Sequence, residues 1–425
     1  MTITNIPKKL IYLELAYNCI IKFLITDLHL PGMLNFLTDA ILIALVWFIF
    51  EEDYPVIKIK WNTGIFIAGL LLFTGTMSAL ISISLSPPLY AWSFRNNFRL
   101  FVFFFCCYRI LDKEDIKKIL EMLLAFLYAN IIVCVFEYFV RGMEYDFLGG
   151  LYGNGIEGGN GPLNALMIVA ASYLIIEYIN KSKPLWQLLF GIGGCLFIAT
   201  VGELKIFYFE IVILVVLVAI FVTHNYRMAV FTASIFVIGL IGMSWYIKLY
   251  PSRADFLSFA FVREYSFKAT YGASSEINRL TAIRSIWVNY FDRSIKKGLF
   301  GLGMGNGEMS SQYGFLTSPF YAMNGRRLRY EWFSQAFLFV EFGLVGLILY
   351  VSFFVTSGLK AFREKHAHYQ MAMISMVFMV LMIFYNQALR IESFCYTAAF
   401  LAAIPYITER ESERKERELK ACQQN

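Results

Sequence analysis

The sequence predicts an all-α, polytopic integral membrane protein with about twelve transmembrane helices and one large extracytoplasmic loop. Three observations predict it. The 425-residue chain is 58% hydrophobic and 16% charged, with a mean hydropathy of +0.59; soluble domains carry roughly 25% charge. Apolar runs of about 20 residues, the length a helix needs to cross hydrocarbon, recur along the chain. One long polar segment, residues 250–331, contains no such run. So little charge cannot cover a soluble surface, which excludes the soluble classes of function. The net charge of +6 sits between the apolar runs, so it marks topology and gives no nucleic-acid signal. Forty-two Phe and 26 Tyr suit lipid-facing and interfacial positions.

The candidate spans, in order, are 10–28, 34–50, 61–84, 96–111, 119–140, 162–180, 185–201, 206–222, 228–249, 332–356, 371–388 and 394–408. Glu14 and Lys22 interrupt the first, so a tilted or interfacial helix is its alternative. The last is short, and its alternative is a buried re-entrant helix. No small-residue cleavage site follows the first run, so no cleavable signal peptide is expected. The chain therefore divides into a bundle of about nine helices (1–249), a loop (250–331), a bundle of about three helices (332–408) and a charged tail (409–425). The tail alternates Glu and Arg and predicts a solvated helix or disorder. The two halves show no repeat, which disfavours a transporter built from paired bundles.

Lys and Arg in short loops set the orientation. With the amino terminus in the cytoplasm, the cytoplasmic set holds Lys8/Lys9, Lys58/Lys60, Arg109/Lys113/Lys117/Lys118, Lys181/Lys183, Arg227, Lys360/Arg363/Lys365 and the basic tail. The short outer loops hold only Arg95, Arg99, Arg141, Lys205 and Arg390. Both termini then face the cytoplasm and the long loop faces outward. Six of the seven Cys lie in apolar runs and none in the loop, so neither a disulfide framework nor a metal site is expected. The four His sit in a connector or near span ends, where solvated or capping roles are expected.

The loop carries eleven basic and six acidic residues, a net charge of +5. A basic outer surface at headgroup level suits an anionic lipid-linked substrate or, more blandly, anionic lipid heads. Apolar residues at 277, 280, 283, 286, 287 and 290 follow helical spacing. They predict an amphipathic helix over 276–292 lying on the membrane, with Arg279 and Arg284 at its rim. The run from Gly298 to Gly307 that follows is no dinucleotide fingerprint, because no strand precedes it; it predicts a tight irregular turn. Arg326, Arg327 and Arg329, with Glu331, stand directly before a span, as an anchor or a phosphate clamp. Glu203 and Lys205 form an outer turn, and Glu210 lies deeper on the face of Glu203. Charges at such depth are functional candidates, the alternative being an ion pair that closes the turn. The Gly-rich stretch 149–161 also faces outward, with its role open.

Two motifs carry a resemblance. Arg279-Leu280 is followed by Gly301-Leu-Gly303-Met-Gly305, and Glu341-Phe-Gly343-Leu-Val-Gly346 opens the span after the loop. With the topology, they make the chain resemble the O-antigen polymerase and O-antigen ligase superfamily of bacterial envelope glycan assembly. Ligases commonly have His-Asn nine residues before that Glu; here Trp332-Phe333 stands there. The Ser-Arg often found at the start of a mid-chain span is replaced by Glu203-Leu-Lys205. Both departures fit the more divergent polymerases. The resemblance implies a polymerase of the bacterial cytoplasmic membrane that needs no metal or cofactor. Its implied substrates are oligosaccharides on undecaprenyl diphosphate, and a chain-length regulator is an implied partner. A sugar hydroxyl of the incoming unit would attack the anomeric carbon of the growing glycan. Lys205, Arg279, Arg284, Arg326, Arg327 and Arg329 would stabilise the departing diphosphate, with Glu203 or Glu331 as base. A ligase is the runner-up; a lipid-linked oligosaccharide flippase is the rival from another class.

Overall fold

The computed structural model describes residues 6–50, 62–82, 86–153, 159–222, 226–249, 251, 263, 268, 276–310, 313–366 and 368–424. It is 82% helix, with no strand among the described residues. Arg253, Asp255 and Glu264 of the predicted loop, Lys58, Lys60 and residues 154–158 of the Gly-rich stretch lie outside the described residues.

Each predicted segment coincides with a helix. These are α1 (Ile6–Thr26), α2 (Phe36–Phe50), α3 (Thr63–Ile81), α4 (Pro87–Ile110), α5 (Lys113–Phe139), α6 (Asn160–Ile179), α7 (Leu185–Val201), α8 (Lys205–Phe221) and α9 (Tyr226–Leu249). Two short helices follow, α10 (Ala282–Asn289) and α11 (Ile295–Phe300), and then α12 (Ser334–Glu364), α13 (Tyr369–Tyr385) and α14 (Glu392–Gln424). Among the described residues, six helical stretches are long and apolar enough to cross a membrane: Gly32–Phe50, Thr63–Ile81, Lys113–Phe139, Asn160–Ile179, Tyr226–Leu249 and Ser334–Glu364. Helices α7 and α13 are apolar but shorter.

The bundle has an interior and an apolar exterior. Helix α6 is buried almost all round, among α5, α7, α8 and α13. The first half of α14 is buried from Phe394 to Ile407, against α1, α4 and α12. Helices α2, α3, α8 and α9 instead expose Trp47, Phe66, Phe73, Val212, Ile220, Phe236 and Leu240. Exposed apolar area on this scale is what a hydrocarbon solvent permits and water does not. Of the two charged residues that interrupt α1, Glu14 points inward. Glu14 is fully buried and accepts from Asn18 Nδ2 at 2.9 Å. Helix α1 packs into the core through Ile11, Leu15 and Cys19. The tail continues α14 as helix, and Arg410 fastens it by donating to the carbonyls of Tyr108, Arg109 and Leu111 at 2.5–2.6 Å.

The feature that positions the site is a break in α12. Gly343 has φ 65° and ψ −165°, a conformation open essentially to glycine alone. It divides α12 into a short buried half and a half of membrane length. Its partner is Gly301, at φ 70°, which ends α11. A Cβ on Gly301 would meet the carbonyl of Glu341 at 2.5 Å, and one on Gly343 would meet the nitrogen of Gly301 at 2.5 Å. The two glycines thus allow two backbones to touch.

Gly343→Ala should therefore cost about 1–3 kcal/mol from strain alone. In detergent its unfolding midpoint should fall by several degrees; an unchanged midpoint would mean that the break is not a fixed part of the fold.

Candidate functional site

The site begins at the freed backbone of α12. Breaking a helix leaves carbonyls without their intrahelical donors, and inside a membrane protein these must be satisfied by other protein groups. Leu302 N donates to Val340 O at 2.8 Å and Gly303 N to Glu341 O at 2.9 Å. The side chain of Glu341 completes the docking. Its Oε1 accepts from Gly305 N at 2.9 Å and Gly307 N at 3.0 Å; its Oε2 accepts from Ser93 Oγ at 2.5 Å and Asn97 Nδ2 at 3.2 Å. Met304 N reaches Gly75 O at 3.3 Å, and Ser82 Oγ donates to Leu302 O at 2.7 Å. The glycine turn is thus a plug held between α3, α4 and α12. The two sequence motifs, some 40 residues apart, are the two sides of one contact.

Next to this plug lies a buried ion pair. Glu308 Oε1 meets Arg390 NH2 at 3.4 Å, and Glu308 Oε2 accepts from Asn96 Nδ2 at 3.1 Å. Arg390 Nε donates to Asn97 Oδ1 at 3.2 Å, and its guanidinium lies 3.1 Å above the ring of Phe337. Arg99 donates to the carbonyl of Arg390. Burial pushes the Glu308 carboxyl up and the Arg390 guanidinium down, and each is held charged by the other.

The loop forms a small core of its own on the first half of α12. Ile277, Ala282, Ile286, Phe291, Tyr321, Leu328, Tyr330, Phe333, Phe337 and Val340 pack together. This corrects the amphipathic helix expected over 276–292. The helix spans only Ala282–Asn289, because Ile277 N pairs with Leu328 O and because Asp292 and Arg293 have positive φ. Its inner face, Ala282 and Ile286, packs on the loop core, while Leu280 and Trp287 are exposed. Arg279 therefore precedes the helix. Its Nε donates to Tyr385 O at 3.0 Å, and its guanidinium lies 5.1 Å from the Phe333 ring centre and 4.7 Å from that of Tyr385. Gln335 Nε2 donates to Arg279 O at 2.9 Å, which holds the turn on α12.

The same platform carries most of the other predicted residues. Arg327 donates to Tyr290 Oη at 2.5 Å. Arg329, at φ 54°, lies 3.9 Å from Glu331 and 5.2 Å from the Trp332 ring centre. Arg326 and Arg284 are exposed. Glu331 is buried and accepts from Tyr321 Oη at 2.8 Å; burial pushes its carboxyl up. Its Oε2 has no hydrogen-bond partner among the described residues. Glu203 and Lys205 belong elsewhere, at the α7–α8 corner. They form an ion pair of 2.8 Å, with Tyr246 of α9 donating to Glu203 at 3.4 Å, so the pair closes the turn. Glu203 lies outside the helix at φ 54°, while Glu210 is buried in α8 and accepts from Asn164 Nδ2 at 2.9 Å. Among the described residues no three His, Cys, Asp or Glu side chains form a metal-ligand set.

Sequence reasoning missed Glu308, Arg390, Asn97 and Ser93 as site residues. In the sequence Arg390 reads as a topology charge, and a lone arginine between two apolar runs is the one signal it offers. Comparisons with protein-family models, curated proteins and solved structures give no match.

Arg390→Gln alone leaves Glu308 buried and uncompensated, at a cost of about 3–5 kcal/mol. Adding Glu308→Gln should restore part of that loss, with a coupling energy above about 1 kcal/mol in a double-mutant cycle on thermal unfolding. Additive losses would show that the two groups do not act as a pair.

Proposed function

We propose that the protein is a membrane polymerase of glycans. It joins oligosaccharide units carried on undecaprenyl diphosphate at the outer face of a bacterial cytoplasmic membrane. In this reading the twelve long helices all span, both termini are cytoplasmic, and the loop platform faces outward. The observation that carries it is Arg279. Two rings and the Tyr385 carbonyl fix its guanidinium plane at the junction of the loop with α12 and α13. A fixed guanidinium plane is what two-pronged recognition of phosphate needs. Arg326, Arg327 and Arg329 add positive charge on the same platform.

The chemistry follows from these parts. A sugar hydroxyl of the incoming unit attacks the anomeric carbon of the growing chain. A glycosidic C–O bond forms, the bond from that carbon to the diphosphate oxygen breaks, and its electron pair leaves with the diphosphate. Arg279 and its neighbours stabilise that developing charge. Glu331 takes the hydroxyl proton; a carboxylate whose affinity for protons is raised suits a base. The ligase alternative is less well supported. The positions where ligases carry His-Asn are occupied by Trp332, beside Arg329, and Phe333, beneath Arg279. In the flippase alternative charges would line a midplane cavity, whereas these gather on a loop platform.

A cell lacking the protein should carry single repeat units on its acceptor, in a ladder cut to one unit. Arg279→Ala and Arg279→Lys, at normal protein level, should both reproduce it. Losing one charge-assisted contact costs roughly 1.5–3 kcal/mol, enough to slow transfer at least about tenfold. Long polymer stranded on the carrier lipid would favour the ligase instead, and full-length glycan in either variant would refute the role of Arg279.

A further inference from the structure

A second polar feature lies at the opposite end of the bundle. Helices α5 and α13 point in the same direction. Their carboxyl ends face the Gly-rich stretch, through Glu137 and Gly150 N in one case and Asn386 beside Gly161 in the other. Helix α13 is 17 residues long, so its amino end is roughly 25 Å from Tyr385 and Arg279. There, Lys113, Glu114, Lys117, Lys118, Glu121 and His368 line an open cleft of about 650 Å³.

The cleft is cationic. Lys113, Lys117 and Lys118 occupy one exposed flank of the first two turns of α5. Among the described residues no ion pair engages any of the three. Glu121 already has its own partners, Lys183 Nζ at 2.7 Å and Tyr173 Oη at 2.9 Å. Glu114 is left as the opposing charge, in the first turn of α5, where a helix amino end favours it. His368 closes the cleft from the α12–α13 connector, at φ 61°. Burial lowers its proton affinity first, and the charges of Lys113 and Lys117, which line the same cleft, lower it further. One connector away, Leu359 and Phe362 at the end of α12 expose apolar side chains.

We propose that this cleft binds the phosphate headgroup of an anionic membrane lipid. Three lysines at the amino end of α5, a helix long and apolar enough to cross a membrane, would sit where the phosphate layer of a bilayer lies. Lysine serves phosphate as a hydrated point charge, and basic clefts between membrane helices hold acidic headgroups. The volume suits a headgroup with its glycerol, within the roughly 300–1,000 Å³ of ligand sites. The inference is independent of the glycan chemistry at the other end.

The test uses the full chain in nanodiscs of phosphatidylcholine and phosphatidylglycerol at about four to one. Lipid retained after gentle release is counted by native mass spectrometry. The wild type should retain phosphatidylglycerol. Lys113→Gln/Lys117→Gln/Lys118→Gln should lose that preference roughly tenfold or more, and the corresponding triple arginine variant should keep it. Circular dichroism and the unfolding midpoint check the fold; if the triple glutamine variant fails to assemble, the three single variants are read in its place. Equal phosphatidylglycerol retention by wild type and folded glutamine variants would overturn the proposal. Displacement of the lipid by millimolar inorganic phosphate would also overturn it, in favour of a site for soluble phosphates.

Discussion

A buried carboxylate that binds glycine N–H groups holds this structure together where the loop meets the bundle. Glu341 is fully buried and receives four donors, two from the glycine turn and two from α4. Taken alone, an acid at that depth would be costly. With four donors it becomes the pin that lets a loop enter the bundle. The helix break at Gly343 supplies two carbonyls to the same loop, so side chain and backbone act together. The rest of the platform, from Tyr330 on Gly307 O to Arg279 on Tyr385 O, is built against that pinned turn.

The same device occurs once more. Glu137 in α5 accepts from Gly150 N at 2.9 Å, and Asn130, two turns away, accepts from Leu151 N at 2.9 Å. They tuck the start of the Gly-rich stretch against α1 and α5, with Gly150 at φ 56° and Tyr152 buried on Cys19. Two loops are thus fixed by acceptors inside helices, and glycine serves both times because the backbone itself must approach. A buried loop held by helix side chains costs little here: the interior that excludes water also strengthens each bond.

The helices were legible in the sequence because a long apolar run is a local signal, and six helical stretches among the described residues are long and apolar enough to cross a membrane. Even α1, interrupted by Glu14 and Lys22, kept its place, since Glu14 turns inward to Asn18. The loop was harder to read. Apolar spacing over 276–292 overstated the helix, because Ile277 is claimed by Leu328 across the loop, a contact no local pattern records. Arg279, Arg327, Arg329 and Glu331 were visible as charges at a span edge. Glu308 and Arg390 were not visible as a pair, because some 80 residues separate them and each alone looks like an ordinary loop charge. Glu341 and Gly343 could be read as a motif, yet their purpose appears only when the glycine turn is laid against them. The Glu203–Lys205 turn was weighed as a site, and its ion pair now gives it a local task.

The central claim is that Glu341 holds the glycine turn against α3 and α12. Ser82 Oγ on α3 and Asn306 Nδ2 in the turn lie 3.5 Å apart, which makes them a reporter of that docking. With the seven native cysteines replaced, a Ser82→Cys/Asn306→Cys variant in membranes can be oxidised and followed by mass spectrometry of the linked peptides. The account predicts rapid, near-complete crosslinking with Glu341 present and much slower crosslinking when Glu341→Ala is added. Absent crosslinking, or the same rate with and without Glu341, would contradict it.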